Sequence, residues 1–313
     1  DNITCATWSD IYINEGWATY TDYLANEHIQ GYAAAQNWLA ARHSHVKSAP
    51  GGSIYVPEEE LGNVWRIFDG RLSYSKGAIF NHMLRWEINN DDLFYEACHD
   101  FQEQYTDSSA TGMDLKEVFE DVTGMDFTDF FDQWYFGEGY PIYDITWNQD
   151  NDSLYLTSTQ TTSTSVTTLF KMTVPVYVEF EDGSDTTYRI YQDQNLQNFA
   201  IAIDQPVDEI EIDPEQWILH HLNSLLVVLE EIKSPVHFTV GPNPFRDKLN
   251  LFFSHDNLGD VRVVITDLTG RKVMDETVKG TSQTLHTGIL PGGIYLMNVS
   301  DGENQMTKKP DKK

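Results

Sequence analysis

The hydrophobic pattern changes period once, near residue 140. Before that point apolar residues recur at helical spacing. Ile11, Ala18 and Leu24 carry an apolar line through Trp8 to Leu24, with Ser9 or Asp10 available as the helix cap. Gly31 to Lys47 is Ala-rich and holds Trp38 and Leu39, a good helical composition. Pro50, Gly51, Gly52, Pro57 and Gly62 punctuate a loop from Ser48 to Gly70. Ile79, Met83 and Trp86 then share one face of a helix from Tyr74 to Ile88. Asp91 to Tyr105 and Asp114 to Val122 are two more helices, the second with Asp114 and Glu117 in a capping-box relation. Phe127 to Phe136 is a final aromatic helix, closed by Gly137 and Gly139.

From Tyr140 onward the period is two. Tyr143 to Trp147, Ser153 to Thr157, Thr173 to Phe180, Thr187 to Tyr191, Phe199 to Ile203 and Glu209 to Ile212 alternate apolar and polar residues between turns such as Asp182-Gly183. The pattern predicts a small all-β domain of the sandwich type. Trp217 to Ile232 fits a helix or a strand running into a linker equally well. Past Pro235 a second β domain begins, with strands at Lys248 to Phe253, Val261 to Thr266, Lys272 to Glu276 and Gly293 to Val299. Asp267 to Arg271 and Pro291-Gly292-Gly293 read as its tight turns.

Composition narrows what such a chain does. Its 313 residues suffice for two or three domains with cores of their own. The 49 acidic residues outnumber 20 Lys and Arg, a formal charge of −29 that repels phosphate backbones and anionic lipid, so no nucleic-acid partner is expected. Such acidity suits a soluble secreted protein. Cys5 and Cys98 are too few for a disulfide framework, and no apolar run reaches the length of a membrane span. The chain opens on Asp1, directly inside a motif-like stretch, without a signal peptide, and so reads as a piece of a longer protein.

One carboxylate stands out. Glu15 sits between Asn14 and Gly16 on the first helix, among Trp8, Ile11, Tyr12 and Tyr20. Buried there it needs a partner such as a metal ion; on the solvated face it needs none. Asp22, at i+7, shares its face. A hydrolytic zinc site takes three protein ligands and keeps one position for water. The usual helical His-x-x-x-His pair is absent: His43 and His45 are at i and i+2, and His220 and His221 are adjacent. A complete site cannot be assembled from these residues.

The wording of the stretch points to a family. Asp10-Ile11-Tyr12-Ile13-Asn14-Glu15-Gly16-Trp17-Ala18-Thr19-Tyr20 resembles the second zinc-site helix of aminopeptidase N-like gluzincin metallopeptidases. The resemblance implies that Glu15 is the third ligand of a single Zn2+ ion. Asn14 and Asp22 would then support the site from outside the ligand set, Asp22 standing where the family usually has Glu. It also implies that two His ligands and the general-base Glu belong to a His-Glu-x-x-His motif ahead of Asp1, its second His falling five residues before it. Ser73-Tyr74-Ser75-Lys76-Gly77-Ala78 resembles the family's Tyr-x-Lys-Gly-Ala segment, with Ser75 where Glu is common. By that resemblance Tyr74 donates a hydrogen bond to the oxyanion of the tetrahedral intermediate. Phe130-Phe131-Asp132-Gln133-Trp134 with Gly139-Tyr140-Pro141, and Ile210 to Pro214 with Trp217-Ile218-Leu219, are similar to the borders of the family's β domain, so the likeness covers roughly residues 1 to 220.

Residues 236–313 resemble something else. Val240-Gly241-Pro242-Asn243-Pro244-Phe245, Val263 to Arg271 and Leu290-Pro291-Gly292-Gly293-Ile294-Tyr295 look like a type IX secretion sorting domain, although the finish, Met306 to Lys313, departs from the usual basic-hydrophobic end. The expected fold class is α+β and multidomain. Residues 1–139 are expected to be the helical half of a thermolysin-like catalytic domain and 140–219 a small β-sandwich. Residues 220–235 would be a linker and 236–313 an Ig-like all-β sorting domain. The expected function is that of a zinc aminopeptidase acting on N-terminal peptide bonds, with peptides as substrates. It would be exported across a bacterial outer membrane by the type IX machinery, to be secreted or held at the cell surface. The chain alone is expected to be inactive. A non-catalytic binding module or an endopeptidase on the same scaffold are the alternatives.

Overall fold

The computed structural model describes residues 2–150, 152–228, 238–253, 260–268, 271–300 and 305–313. The chain divides after Val228 into two compact units. In the first, a short strand β1 (Ile3–Cys5) leads through a 3₁₀ turn at Trp8–Asp10 into α1 (Tyr12–Gln30) and α2 (Tyr32–Val46). A loop carrying α3 (Val64–Ile67) follows, then a π-helical segment, Gly70–Lys76, continuous with α4 (Gly77–Ile88). Next come α5 (Asp91–Gln104), β2 (Ser108–Ala110), α6 (Gly112–Thr123) and α7 (Thr128–Phe131), which passes into a second π turn at Asp132–Phe136. β2 lies parallel to β1.

Several boundaries differ from the sequence expectation, each for a local reason. Neither Ser9 nor Asp10 caps α1, whose N-cap is Ile11 without a side-chain bond. Asp10 is instead buried and accepts from the Gly112 amide at 2.9 Å and the Tyr135 hydroxyl at 2.7 Å, which locks the start of α1 to α6 and the second π turn. The capping box of α6 joins Thr111 and Asp114, not Asp114 and Glu117, because the helix starts two residues earlier. The expected helices at 74–88 and 127–136 each hold a π turn, which periodicity in apolar residues does not register.

The β region holds β3 (Pro141–Asp150), β4 (Ser153–Thr162), β5 (Met172–Phe180), β6 (Asp185–Gln192), β7 (Leu196–Ala202), β8 (Val207–Ile212) and β9 (His221–Val227). They form one sheet in the order β7-β4-β3-β9 and another in the order β6-β5-β8. β9 settles the open choice at Trp217 to Ile232 in favour of a strand, and it lies parallel to β3 from His221 to Val227. The expected linker at 220–235 is therefore strand over its first part; residues 229–235 lie outside the described residues. Helices and sheets share one core, in which Phe80, Phe131 and Trp134 belong to the same cluster as Ile145, Phe170 and Val176. The expected border near 139 separates secondary-structure types within one unit, not two cores. Glu87, accepting from the Thr173 amide at 2.7 Å, and Arg189, donating to the Trp86 carbonyl at 2.7 Å, stitch that border.

The second unit contains β10 (Phe238–Gly241), β11 (Lys248–Phe253), β12 (Val261–Asp267), β13 (Lys272–Val278), β14 (Ser282–His286), β15 (Gly293–Ser300), β16 (Gln305–Lys308) and β17 (Asp311–Lys312). One sheet runs β10-β11-β14; the other runs β13-β12-β15-β16, with β17 also on β15. Alternate residues such as Leu249, Leu251, Val263, Ile265, Met297 and Val299 point into a separate core between them. The expected turn at Asp267 to Arg271 is closed by the Asp267 amide on the Arg271 carbonyl at 3.0 Å; Thr269 and Gly270 lie outside the described residues.

Candidate functional site

The site begins where two helices nearly touch. A Cβ placed on Gly77 would lie 3.0 Å from the Cα of Gly16, and one placed on Gly16 would lie 2.3 Å from the buried ring of Tyr12. Only glycine at both positions lets α1 and α4 approach this closely. The residue before Gly16 is Glu15, and three residues before Gly77 is Tyr74. The crossing therefore brings the carboxylate and the phenol together. Tyr74's phenol is held above its ordinary value, first by burial and then by the negative charge of Glu15 nearby. It stays protonated across the neutral range.

Glu15 is half-buried, not enclosed, and opens on a cleft of about 400 Å³. The walls are Thr4 to Trp8, Ile11 and Asn14 on one side and Phe68 on the other, with Trp8 and Phe68 packed edge to face at 5.9 Å. Tyr12 and Tyr20, expected around Glu15, point the other way. Tyr12 donates to Asn81, and the Tyr20 hydroxyl faces His82 Nδ1 at 3.4 Å. Tyr20, at i+5, falls on another face of the helix from Glu15, and the ring of Tyr12 turns into the core against Phe80 and Tyr135.

The two supporting candidates have other partners. Asn14 Oδ1 accepts from the Cys5 amide at 2.8 Å and from Thr4 Oγ1 at 3.3 Å, which pins β1 along the start of α1 and forms one wall of the cleft. Asp22 is exposed and accepts from the Trp38 indole at 2.7 Å, two turns away from Glu15. Of the residues expected at the site, Glu15 opens on the cleft and its charge raises the Tyr74 phenol, Asn14 shapes the cleft, and Asp22 ties α1 to α2.

The segment carrying Tyr74 is fixed with unusual density. Asp69 caps it, accepting from the amides of Arg71 and Leu72 at 2.8 and 3.0 Å. Arg71 donates to the Gly51 carbonyl at 2.8 Å, and Ser73 donates to the Ile67 carbonyl at 2.8 Å. Ser75 Oγ meets His45 Nδ1 at 3.0 Å. The buried Lys76 ammonium donates to the carbonyls of Gly52 at 3.0 Å and Gly137 at 3.3 Å. Burial, reinforced by Arg71 and Arg66, pushes Lys76 down to about 7. Sequence reading had passed over Gly16, Gly77 and Lys76. A glycine inside a helical pattern, as at both crossings, was the available signal.

The donor chemistry at Glu15 bears on a metal. A half-open carboxylate beside a neutral phenol fits one ligand position of a hydrolytic zinc site. Among the described residues, the one cluster of His, Cys, Asp or Glu donors close enough to share an ion is His99, Asp100 and Glu103 on α5. No described histidine joins Glu15 in such a cluster.

Parts of the chain are similar to known proteins. Residues 1–134 match the peptidase family M1 domain, and residues 239–310 match a secretion system C-terminal sorting domain. The chain is similar to aminopeptidase N of Lactococcus lactis subsp. lactis, 24% identical over 164 residues that cover 50% of this chain and 19% of that protein. It is also similar to glutamyl aminopeptidase of Sus scrofa, 21% identical over 235 residues, covering 71% of this chain and 24% of the relative. The chain thus spans about a fifth to a quarter of the length of these relatives. A crystal structure of Legionella pneumophila aminopeptidase A in complex with aspartic acid shares the fold, with a TM-score of 0.58 at 16% identity over 71% of this chain and 25% of that one.

Proposed function

From a chain whose residues 1–134 carry the peptidase family M1 domain and whose residues 239–310 form a secretion sorting domain, marking it for export, we propose that the first unit is part of a zinc aminopeptidase. In this reading residues 2–139 are the helical part of a thermolysin-like catalytic domain and 140–228 its following β-sandwich. Residues 238–313 are an Ig-like domain addressed to the type IX secretion machinery. The observation that carries the reading is the close approach of Gly16 and Gly77, which sets the turn of Tyr74 against the helix of Glu15, whose charge raises the phenol.

Glu15 would be one ligand of the ion, with two imidazoles from a His-Glu-x-x-His segment that the family resemblance places ahead of Asp1. When bound, the zinc supplies a water acidic enough to attack a carbonyl near neutral pH. The rest is done by residues of this chain. The Tyr74 phenol, kept neutral by burial and by Glu15, donates its hydrogen bond where negative charge develops on the substrate carbonyl oxygen. The π-helical segment holds that hydroxyl in place, so little reorganisation accompanies the reaction. Trp8 and Phe68, packed edge to face, give the cleft an apolar lining that a substrate side chain can cover.

The test uses the protein that contains this chain together with the His-Glu-x-x-His segment. Glu15→Gln should lose stoichiometric zinc and hydrolysis of aminoacyl anilides together. Retention of both in that variant would sink the reading.

A further inference from the structure

We infer that Lys76 is a positioning residue: its ammonium, held between the Gly52 and Gly137 carbonyls, fixes the π-helical turn that aims Tyr74 at Glu15. The inference deepens the reading of the site given above and rests on it.

A π turn is rare and weakly self-supporting, so this one needs anchors from outside. Its N-terminal half has them in Asp69, Arg71 and Ser73. Its C-terminal half, where Tyr74 sits, has three: the Ser75 contact to His45, the Gly77 contact to Gly16, and Lys76. Lys76 alone among these reaches two different stretches of backbone, the loop at Gly52 and the end of the second π turn at Gly137. Each of those stretches is itself tied to the floor of the site. Gly52 donates its amide to Glu138 at 3.0 Å, and beyond it the Tyr55 amide bonds the Tyr135 carbonyl and the Val56 amide bonds the Ser9 carbonyl, each at 3.0 Å. Lys76 thus couples the Tyr74 turn to the segment that leads into α1 and Glu15.

Around Tyr74 the polar side chains of the turn are engaged, while Tyr74 itself is half-buried. A fully buried amine in a low-dielectric site is costly unless its hydrogen bonds are kept. A leucine or methionine would fill the same volume at less cost if packing were the sole requirement. The two carbonyl bonds are what an apolar residue cannot supply.

The test needs neither metal nor turnover, so its failure is separable from failure of the zinc reading. Fluorotyrosine is placed at position 74 of the 313-residue chain and its fluorine resonance is read at fixed neutral pH, with Glu15 or with Gln in its place. In the native background Glu15→Gln should move the resonance and leave a single sharp line. In Lys76→Met, with folding checked by circular dichroism, the line should broaden or split and the response to Glu15→Gln should be lost. If Lys76→Met does not fold, Lys76→Gln, which keeps at most part of the donor set, should show a reduced response. A response equal to the native one in either folded variant overturns the inference.

Discussion

Gly77 stands against Gly16 with no space for a methyl group, since a Cβ on Gly77 would lie 3.0 Å from the Gly16 Cα and 3.0 Å from the ring of Tyr12. Tyr12 cannot yield, because it is fully buried, hydrogen-bonded to Asn81 and packed edge to face on Phe80 at 5.4 Å. Gly77→Ala should therefore force α1 and α4 apart and cost about 1–3 kcal/mol from overpacking, despite alanine's better helix propensity. Gly124→Ala is a useful contrast. There a Cβ meets nothing, and the cost comes from a φ of +69° alone. Denaturant unfolding measures both. A Gly77→Ala variant as stable as native would show that the helices approach by choice and not by contact.

The raised value of the Tyr74 phenol has two separable causes, burial first and Glu15 second. Glu15→Gln removes the negative charge and leaves the burial. Tyr74 should then ionise at a lower pH than in the native chain yet still above an ordinary tyrosine. Ultraviolet difference titration against Tyr74→Phe isolates this one phenol from the other fifteen. An unchanged titration in Glu15→Gln would mean that the two side chains do not meet.

How much of this was legible beforehand follows from the range of each signal. Apolar periodicity is local, and it placed α1, α2, α4, α5 and β3 to β8, but not the short strands β1 and β2. The family wording singled out Glu15 and Tyr74, and the charge of Glu15 is felt at the Tyr74 phenol. Asp10 was legible as a polar residue at a helix start, but its partners Gly112 and Tyr135 are more than a hundred residues away, and no local rule reaches them. The same distance hid the Gly16–Gly77 contact. β9 was undecidable because His221 to Val227 lacks clean alternation and earns its strand only by pairing with β3. The common core of helices and sheets was invisible because a change of period looks the same whether or not a domain ends there.

Acid should loosen the junction between α2 and the sheets. Burial lowers His43 to about 3 and His220 to about 4, and it also lowers His82 well below its ordinary value. An unfolded histidine takes up its proton near 6.5. Between there and the folded values the unfolded chain binds more protons, so stability falls as pH drops through that window. Three other charged groups sit among these rings: Arg85, which lowers His82 further, Lys47 and Asp213. Lys47, which donates to the His220 carbonyl at 3.1 Å, disfavours their protonation further. Buried Asp213 is raised and works in the opposite sense, gaining a proton in the folded state as pH falls. Three histidines against one carboxyl leave a net loss. His43→Leu, which removes a ring nitrogen with no hydrogen-bond partner, should flatten the dependence of unfolding free energy on pH between about 4 and 6.5. A slope that is flat in the native chain would contradict the burial of these rings.

Lys76 gives the matching prediction on the alkaline side. Folded, it releases its proton near 7, whereas the unfolded lysine holds its own to about 10.5. Across that interval the unfolded state binds more protons, so the cost of burying the amine is relieved as pH rises. The native chain should gain stability relative to Lys76→Met on going from pH 7 toward 10, and equal slopes would argue that the folded lysine keeps its proton as an exposed one does and is not buried.

Zinc itself separates Glu15 as a lone donor from Glu15 as part of a complete set. Structural and catalytic zinc sites draw on three or four protein donors, and a single carboxylate binds the ion weakly against water. Stabilisation by a ligand follows RT ln(1 + [L]/Kd), so an ion held with a millimolar Kd adds almost nothing at micromolar concentration. Micromolar zinc should therefore leave the melting temperature of the 313-residue chain unchanged, and Glu15→Gln should not alter that result. His99, Asp100 and Glu103 provide the internal control, being exposed or half-exposed donors on one turn of α5 that lie within 4.8 Å of one another. If zinc did raise the melting temperature, His99→Ala would abolish the rise when the ion sits on α5 and would leave it intact when the ion sits at Glu15. Tight, stoichiometric zinc that survives His99→Ala but not Glu15→Gln would mean that this chain alone completes the site, and the proposal of ligands ahead of Asp1 would fall.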